Sequence, residues 1–235
     1  TNKKILYKEC TVMKKIMVMI SLCGAFTIGC STVVPITTTM NDTLSMLTKT
    51  NSKETVCISV ASSVKDGVYV QKDTADSKTK DLVFSDNSQA VGYQMTPGVA
   101  FKAMSTEYLN NKFSKIAEKS NTSVSITLSK FDASSALVNS TGAAMAAAMF
   151  GGEVQSVLRA KVTVDVSITK GAKTVEKKIV ASSEATHTSG YSTGTETSNV
   201  YRGENNYESV MGRNINSAMN KALASVNAFL EENQL

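Results

Sequence analysis

His187 is the only histidine in this 235-residue chain. A multi-histidine metal site is therefore excluded, and any serine–histidine–acid arrangement would have to use this one ring. It falls at the end of a Thr/Ser-rich strand, where an exposed imidazole is the expected environment. A serine nucleophile has one other route. Ser62-Ser63-Val64-Lys65 has the S-x-x-K spacing that lets a lysine amine act as base for a serine hydroxyl one helical turn away, and Ser85-Asp86-Asn87 matches the S-D-N element that accompanies it.

The context works against that pair, whose three-part signature belongs to penicillin-interacting serine enzymes. S-x-x-K leaves a strand and runs into Asp66-Gly67 instead of opening a helix. Only twenty positions separate Lys65 from Ser85, and the third element, K-T-G, is broken because Lys173-Thr174 is followed by Val175. No Walker loop or dinucleotide glycine motif is present. The expectation is a protein that is not an enzyme and has no cofactor and no metal site. Cys57, between Val56 and Ile58 in an apolar stretch, is expected to be a buried structural thiol.

The cysteine with chemistry ahead of it is Cys30. Lys14 and Lys15 form a basic start, Ile16 to Gly29 form an apolar run of fourteen residues, and the small Gly29 precedes the cysteine. This is the layout of a secretory signal peptide, and the run is shorter than the roughly 20 apolar residues a spanning helix needs. Its end, Thr27-Ile28-Gly29-Cys30, resembles the lipobox of bacterial lipoproteins, with Thr27 where that family usually places Leu. The resemblance implies that the Cys30 thiol receives diacylglycerol and that Cys30 becomes the new first residue. Ser31 after it, in place of Asp, implies outer-membrane sorting under the enterobacterial rule, with the folded part facing the periplasm. Residues 1–29 then comprise an upstream extension and the signal peptide.

Removing 1–29 changes the charge argument. The whole chain has 25 basic and 20 acidic residues, a net charge of +5. Five of those lysines and Glu9 leave with the segment, so 20 basic and 19 acidic residues remain, a net charge of +1. The basic pI belongs to the targeting segment, and nothing in the remainder supports nucleic-acid binding. Of the four cysteines only Cys30 and Cys57 survive, which excludes a disulfide framework.

Residues 30–53 read as a flexible tether. They are rich in Thr, Ser and Asn with scattered apolar residues, too few to offset the chain entropy of folding. Residues 54–235 read as a single α+β domain. Val56, Ile58 and Val60 alternate in a half-buried strand, and Asp66-Gly67 turns into Val68-Tyr69-Val70. Lys72 to Gln89 is a polar loop around a short strand, Leu82 to Phe84. After Pro97-Gly98, the spacing of Phe101, Met104, Tyr108, Leu109, Phe113 and Ile116 predicts an amphipathic helix of about twenty residues.

Val124, Ile126 and Leu128 then alternate in a strand. The clearest alternation is Leu158, Ala160, Val162, Val164, Val166 and Ile168, followed by a turn at Lys170-Gly171-Ala172-Lys173 and a returning strand to Thr188. A closing helix over 206–232 carries the stripe Ile215, Ala218, Met219, Ala222, Leu223, Val226 and Phe229. The fold class expected is α+β, an antiparallel sheet with two amphipathic helices packed on one face.

This order of elements, together with KFSKIAEKSNTSVSITLSKF leading from helix to strand and the closing NINSAMNKALASVNAFL, resembles the YajG-type uncharacterised bacterial lipoproteins. More distantly it resembles auxiliary lipoproteins of envelope transport systems. The resemblance spans about Glu54 to Leu230 and implies a periplasm-facing domain with no known catalytic residues. The long loop after Lys72 and the uncharged insertion GAAMAAAMFGG over Gly142 to Gly152 depart from it.

That insertion supplies the remaining site candidates, Met145, Met149 and Phe150. Packing over the sheet end is the ordinary fate of an apolar run; an exposed tip that touches lipid or a partner is the functional alternative. The function expected is a lipid-anchored, non-enzymatic envelope component. Its partners are the membrane, through the N-terminal lipid, and an envelope protein or a second copy of itself. A periplasmic small-ligand-binding or hydrolytic domain, its site built from dispersed Ser, Thr and Asp, is the alternative. A deep polar pocket would favour the second, and a solid core with an exposed apolar loop the first.

Overall fold

The structure, a computed structural model, describes residues 32–47, 52–70, 92–138, 146, 150–191 and 206–235. Its frame is a five-stranded sheet in the order β5-β2-β6-β7-β8, comprising β2 (Ser52–Ser62), β5 (Phe113–Ile116), β6 (Thr122–Leu137), β7 (Gly152–Lys170) and β8 (Lys173–Tyr191). A separate three-stranded sheet has the order β1-β4-β3, from β1 (Thr32–Val33), β4 (Gly92–Met95) and β3 (Gly67–Val70). Three helices are described: α1 (Asp42–Leu47), α2 (Pro97–Lys112) and α3 (Tyr207–Glu232).

The α+β class holds, but the large sheet is mixed, not antiparallel. β6-β7-β8 is an antiparallel meander, whereas β2 runs parallel to both of its neighbours, β5 and β6. Parallel partners need crossover connections, and α2 provides one between β2 and β5. The β7–β8 turn lies at Gly171-Ala172, with Lys170 opposite Lys173 and Gly171 at φ +60°, a left-handed value suited to glycine.

The core follows the alternation. Val124, Ile126 and Leu128 of β6 and Leu158, Ala160, Val162, Val164, Val166 and Ile168 of β7 are all buried. A register shift between Leu128 and Lys130 adds one residue to β6. The bulge changes the parity of the strand, so Phe131 and Ala133, not Lys130, continue toward the core. Every residue of the predicted α3 stripe is buried, and Asn206 caps that helix by accepting the Ser209 N–H at 2.7 Å.

Two expectations are overturned here. The predicted twenty-residue helix stops at Lys112, and Phe113 takes up φ −111° and ψ 122° as the chain enters β5. Phe113 stays buried while Ile116 is exposed on the strand. The edge of β2 claims this segment: Phe113, Lys115 and Ile116 pair with Ser52, Thr55 and Val56, and the Ala117 N–H donates to the Val56 carbonyl.

The segment 30–53, expected to be a flexible tether, is docked over its described residues. β1 pairs with β4, Val34 and Leu44 are buried, and Asn41 starts α1 by accepting the Leu44 N–H at 2.8 Å. α3 holds the segment from below. The Asn220 side-chain oxygen accepts the Asn41 N–H at 2.8 Å, and the Asn216 amide donates to the carbonyls of Thr37 and Thr39 at 2.6 and 3.1 Å. Gly212 permits the approach, since a Cβ there would lie 2.0 Å from the Pro35 carbonyl oxygen. Polar composition misled the expectation: the segment is fixed by its backbone carbonyls and two apolar side chains, not by an apolar pattern.

Candidate functional site

The S-x-x-K residues form a turn that serves α2. Ser62 Oγ accepts the Val64 N–H at 3.1 Å and lies 3.2 Å from the Val64 carbonyl, and the Tyr69 hydroxyl donates to the Lys65 carbonyl. Asp66 then points at the start of α2, where its Oδ1 accepts the Gly98 and Val99 N–H groups at 2.8 and 3.4 Å. Thr96, in the cap position, makes no side-chain bond, so Asp66 supplies the missing acceptor from 32 residues away. Ser62 is thus held as a turn residue with Lys65 at the surface. Ser85-Asp86-Asn87 and the strand expected over Leu82 to Phe84 lie outside the described residues.

His187 is not the exposed imidazole expected; it is 7% exposed. The first residue of α3, Tyr207, presents its ring edge-on to the imidazole at 5.7 Å, and Tyr93 of β4 stacks on the other side of Tyr207 at 5.3 Å. Ser189 Oγ lies 3.3 Å from His187 Nε2. Burial pushes the imidazole pKa down, and the Glu208 carboxylate pulls it partly back up. The ring therefore favours its neutral form.

Beside it, between β8 and α3, runs an open polar groove of about 640 Å³ lined by Glu153, Glu184, Thr186, His187, Arg213 and Asn214, among others. Asn214 is buried, its amide donates to the Leu158 carbonyl at 2.9 Å, and its Oδ1 has no partner. Ser183 and Ser217 hydrogen-bond across the same groove at 3.1 Å. The arrangement can accept hydrogen bonds from a hydroxyl-rich or amide ligand. Ser189, two residues along the same strand, is the hydroxyl that faces His187. Among the described residues, no three His, Cys, Asp or Glu side chains converge as metal ligands.

Sequence reasoning missed Tyr207, Tyr93 and Asn214. A signal was present for the last: α3 places Asn at 214, 216, 220 and 227 in an otherwise Ala-rich helix, although Asn is a poor helix former. Each makes a side-chain bond to another element or to its own helix.

Of the apolar insertion, Phe150 is described and is 79% exposed, the largest exposure among the large apolar side chains of the described residues. Val138, at the end of β6 across the same connection, is exposed as well, with its N–H bonded to the Gln155 carbonyl. Met145 and Met149 lie outside the described residues, as does Cys30 with the whole segment before it. Cys57 is only half-buried, and its thiol lies 3.4 Å from the Glu118 carbonyl. No described helix is long and apolar enough to cross a membrane.

No family model matches the chain, and no curated protein matches it. Two solved structures give weak likenesses. An uncharacterised protein aligns over 85% of this chain and 99% of its own, at 8% identity and a TM-score of 0.36. Protein XCC0632 from Xanthomonas campestris, described as a DUF330 protein, aligns over 87% of this chain and 99% of its own, at 8% identity and a TM-score of 0.39. Similarity at that level carries no argument about this chain's fold or function.

Proposed function

We propose that this chain is a lipid-anchored, non-enzymatic envelope lipoprotein of the YajG type, bound through Cys30 to the outer membrane, with its domain in the periplasm. There it acts as a partner- or lipid-binding component of an envelope assembly. In this reading two amphipathic helices, α2 and α3, cover one face of the sheet; the Tyr108 hydroxyl of α2 donates to Asn227 of α3 at 3.1 Å, in support of their lying side by side. The signal-peptide layout ending at Gly29-Cys30 supports the anchor.

The observation that carries the binding role is Phe150. An aromatic ring 79% exposed inside an uncharged run supports a contact role for the connection between β6 and β7. Substituting Met149 and Phe150 with Ser should leave folding intact and reduce crosslinking to the envelope partner at least fivefold. Loss of folding would show that the run is core and would remove the contact. Independently, Cys30→Ala should move the protein from the membrane to the soluble fraction; unchanged fractionation would end the anchoring claim.

One observation favours a small-ligand reading instead, the groove beside His187 with the unpartnered Asn214 Oδ1. A thermal-shift screen of neutral saccharides and small amides distinguishes it. A hit abolished in an Asn214→Leu variant would move the function to the groove.

A further inference from the structure

β8 is the last strand of the five-stranded sheet, and among the described residues no strand pairs with its outer edge. Three carbonyls fix which of its backbone groups point outward. The Gln155 carbonyl of β7 accepts the Val138 N–H, and the Thr163 carbonyl accepts the Ser129 hydroxyl of β6 at 3.3 Å, so both face β6. Their partners across the hairpin, Thr188 and Val180, then turn their own backbone groups away from β7. The Ser182 carbonyl, of the same parity, accepts Lys221 of α3 at 3.2 Å. The even-numbered residues from Thr174 to Thr188 thus present N–H and C=O groups along the edge, and every one of their side chains is exposed. At about 3.4 Å per residue the row is about 48 Å long. No bulge or proline interrupts it, because β8 pairs with β7 without a register shift.

The charges along this edge complement those of a second copy. When a strand pairs antiparallel with its own copy, the residue at the two-fold axis sets the register. With Ala181 at the axis, Lys178 lies opposite Glu184 of the second copy and Val180 opposite Ser182, and symmetry repeats each pair. Within one chain Asp165 is opposite Lys178 and Arg159 opposite Glu184, both as ion pairs. The row across the axis then reads Asp165, Lys178, Glu184, Arg159, acid and base in alternation. Glu176 meets Thr186, so no like charges are opposed. The neighbouring registers do worse. An axis at Val180 sets Glu176 against Glu184, which is destabilising, and an axis at Ser182 sets Lys178 against Thr186.

We propose that the chain forms a two-fold dimer through β8, its outer edge adding antiparallel to the same edge of a second copy. The two five-stranded sheets become one, and the same patch serves both partners, as a two-fold interface requires. Val180, 56% exposed in the single chain, lies beside the axis and sheds water there. Lys221 occupies one lone pair of the Ser182 carbonyl, which leaves the other for the Val180 N–H of the second copy. Nothing in this assembly requires lipid at Cys30.

The test measures mass by light scattering over a dilution series of the full chain in detergent micelles, with circular dichroism as the check on folding. Wild type should be a dimer that dissociates on dilution. Lys178→Glu and Glu184→Lys change exposed side chains, and each opposes like charges across the axis. Each should raise the dimer dissociation constant about tenfold or more. Mixing the two variants opposes unlike charges again in both rows, so a dimer of wild-type affinity should form from two proteins that pair poorly alone. Wild type that stays monomeric at the highest concentration overturns the proposal, and so does wild-type affinity in either variant. A mixture that fails to recover overturns the register around Ala181 and the occupant argued from it.

Discussion

Asn220 on α3 accepts the backbone N–H of Asn41 at 2.8 Å, joining positions 179 residues apart. The same side chain donates to the Thr39 carbonyl at 3.3 Å and to Asn216. One amide thus ties residues 39–41 to the closing helix, beside the β1–β4 pairing and the Asn216 bonds that hold the rest of the segment. Asn220→Ala removes the acceptor of the Asn41 N–H, while Thr39 keeps its bond from Asn216, and should cost about 0.5–1.5 kcal/mol, read by urea denaturation. Limited proteolysis should cut residues 34–47 faster in the variant; equal cutting rates would mean that the segment is held by other contacts.

Gly212→Ala tests the same docking sterically. The new Cβ would fall 2.0 Å from the Pro35 carbonyl oxygen, a backbone atom that cannot rotate away. Either the segment lifts or α3 shifts, at a cost of about 1–3 kcal/mol. Hydrogen exchange should show lost protection at Val34, whose N–H bonds to the Gln94 carbonyl at 3.0 Å.

Asp66→Ala removes the acceptor at the start of α2 and should destabilise by about 1 kcal/mol, the usual worth of a lost helix cap. Ser62→Ala should cost less, because only a turn bond is lost. With Ser62 and Lys65 engaged in a turn, a fluorescent β-lactam is expected to leave the purified protein unlabelled, and covalent labelling at Ser62 would contradict the turn assignment.

His187 makes stability depend on pH. Its folded pKa is lowered, chiefly by burial and against the pull of Glu208. The neutral ring is the one the fold accommodates, so its contribution is complete above the ordinary value of about 6.5 and is lost as pH falls below it. Wild-type protein should therefore lose more stability between pH 7.5 and pH 5.5 than His187→Gln. Parallel denaturation curves for the two would show that the ring is hydrated at both pH values.

The Lys112–Glu231 pair should respond asymmetrically. Lys112 is 2% exposed and its ammonium lies 3.2 Å from a Glu231 carboxylate that is half in solvent. Hydrogen bonds first from Asn227 and then from Lys112 hold the Glu231 carboxyl below the usual carboxylate range. Its contribution is present above the ordinary value of about 4.3 and fades as pH falls through the lowered one. Glu231→Gln should destabilise at neutral pH, because it leaves a buried ammonium without its counter-charge, whereas Lys112→Met should fall within about 1 kcal/mol of wild type. Thermal melts at pH 7 and pH 3 check both, the Glu231→Gln deficit shrinking at the lower pH.

What could be read from the sequence was whatever one chain segment decides by itself. The β7 alternation, the Gly171 turn and the α3 stripe each answer to a single periodicity, and all are in place. β5 was illegible because Phe113 and Ile116 continue the helical spacing of Phe101, Met104 and Tyr108; only the open edge of β2 takes those residues out of the helix. The docking of 32–47 was hidden for a related reason, since Thr37 and Thr39 take part through carbonyl oxygens that every residue has. His187 looked exposed because the ring that covers it, Tyr207, arrives from another element. At the apolar insertion, the sequence could name Phe150 as a candidate but could not say whether it packs, because apolar composition alone does not distinguish a covered ring from an exposed one.

The order in which the chain is made gives the docked N-terminal segment a further meaning. Its support, Asn216 and Asn220, belongs to an element synthesised after all eight described strands. During synthesis β1 can pair with β4 once Met95 has been made, while the Asn41 N–H and the Thr37 and Thr39 carbonyls still lack the side chains that engage them. Completion of α3 supplies those side chains, so residues 37–41 are among the last parts of the described domain to settle.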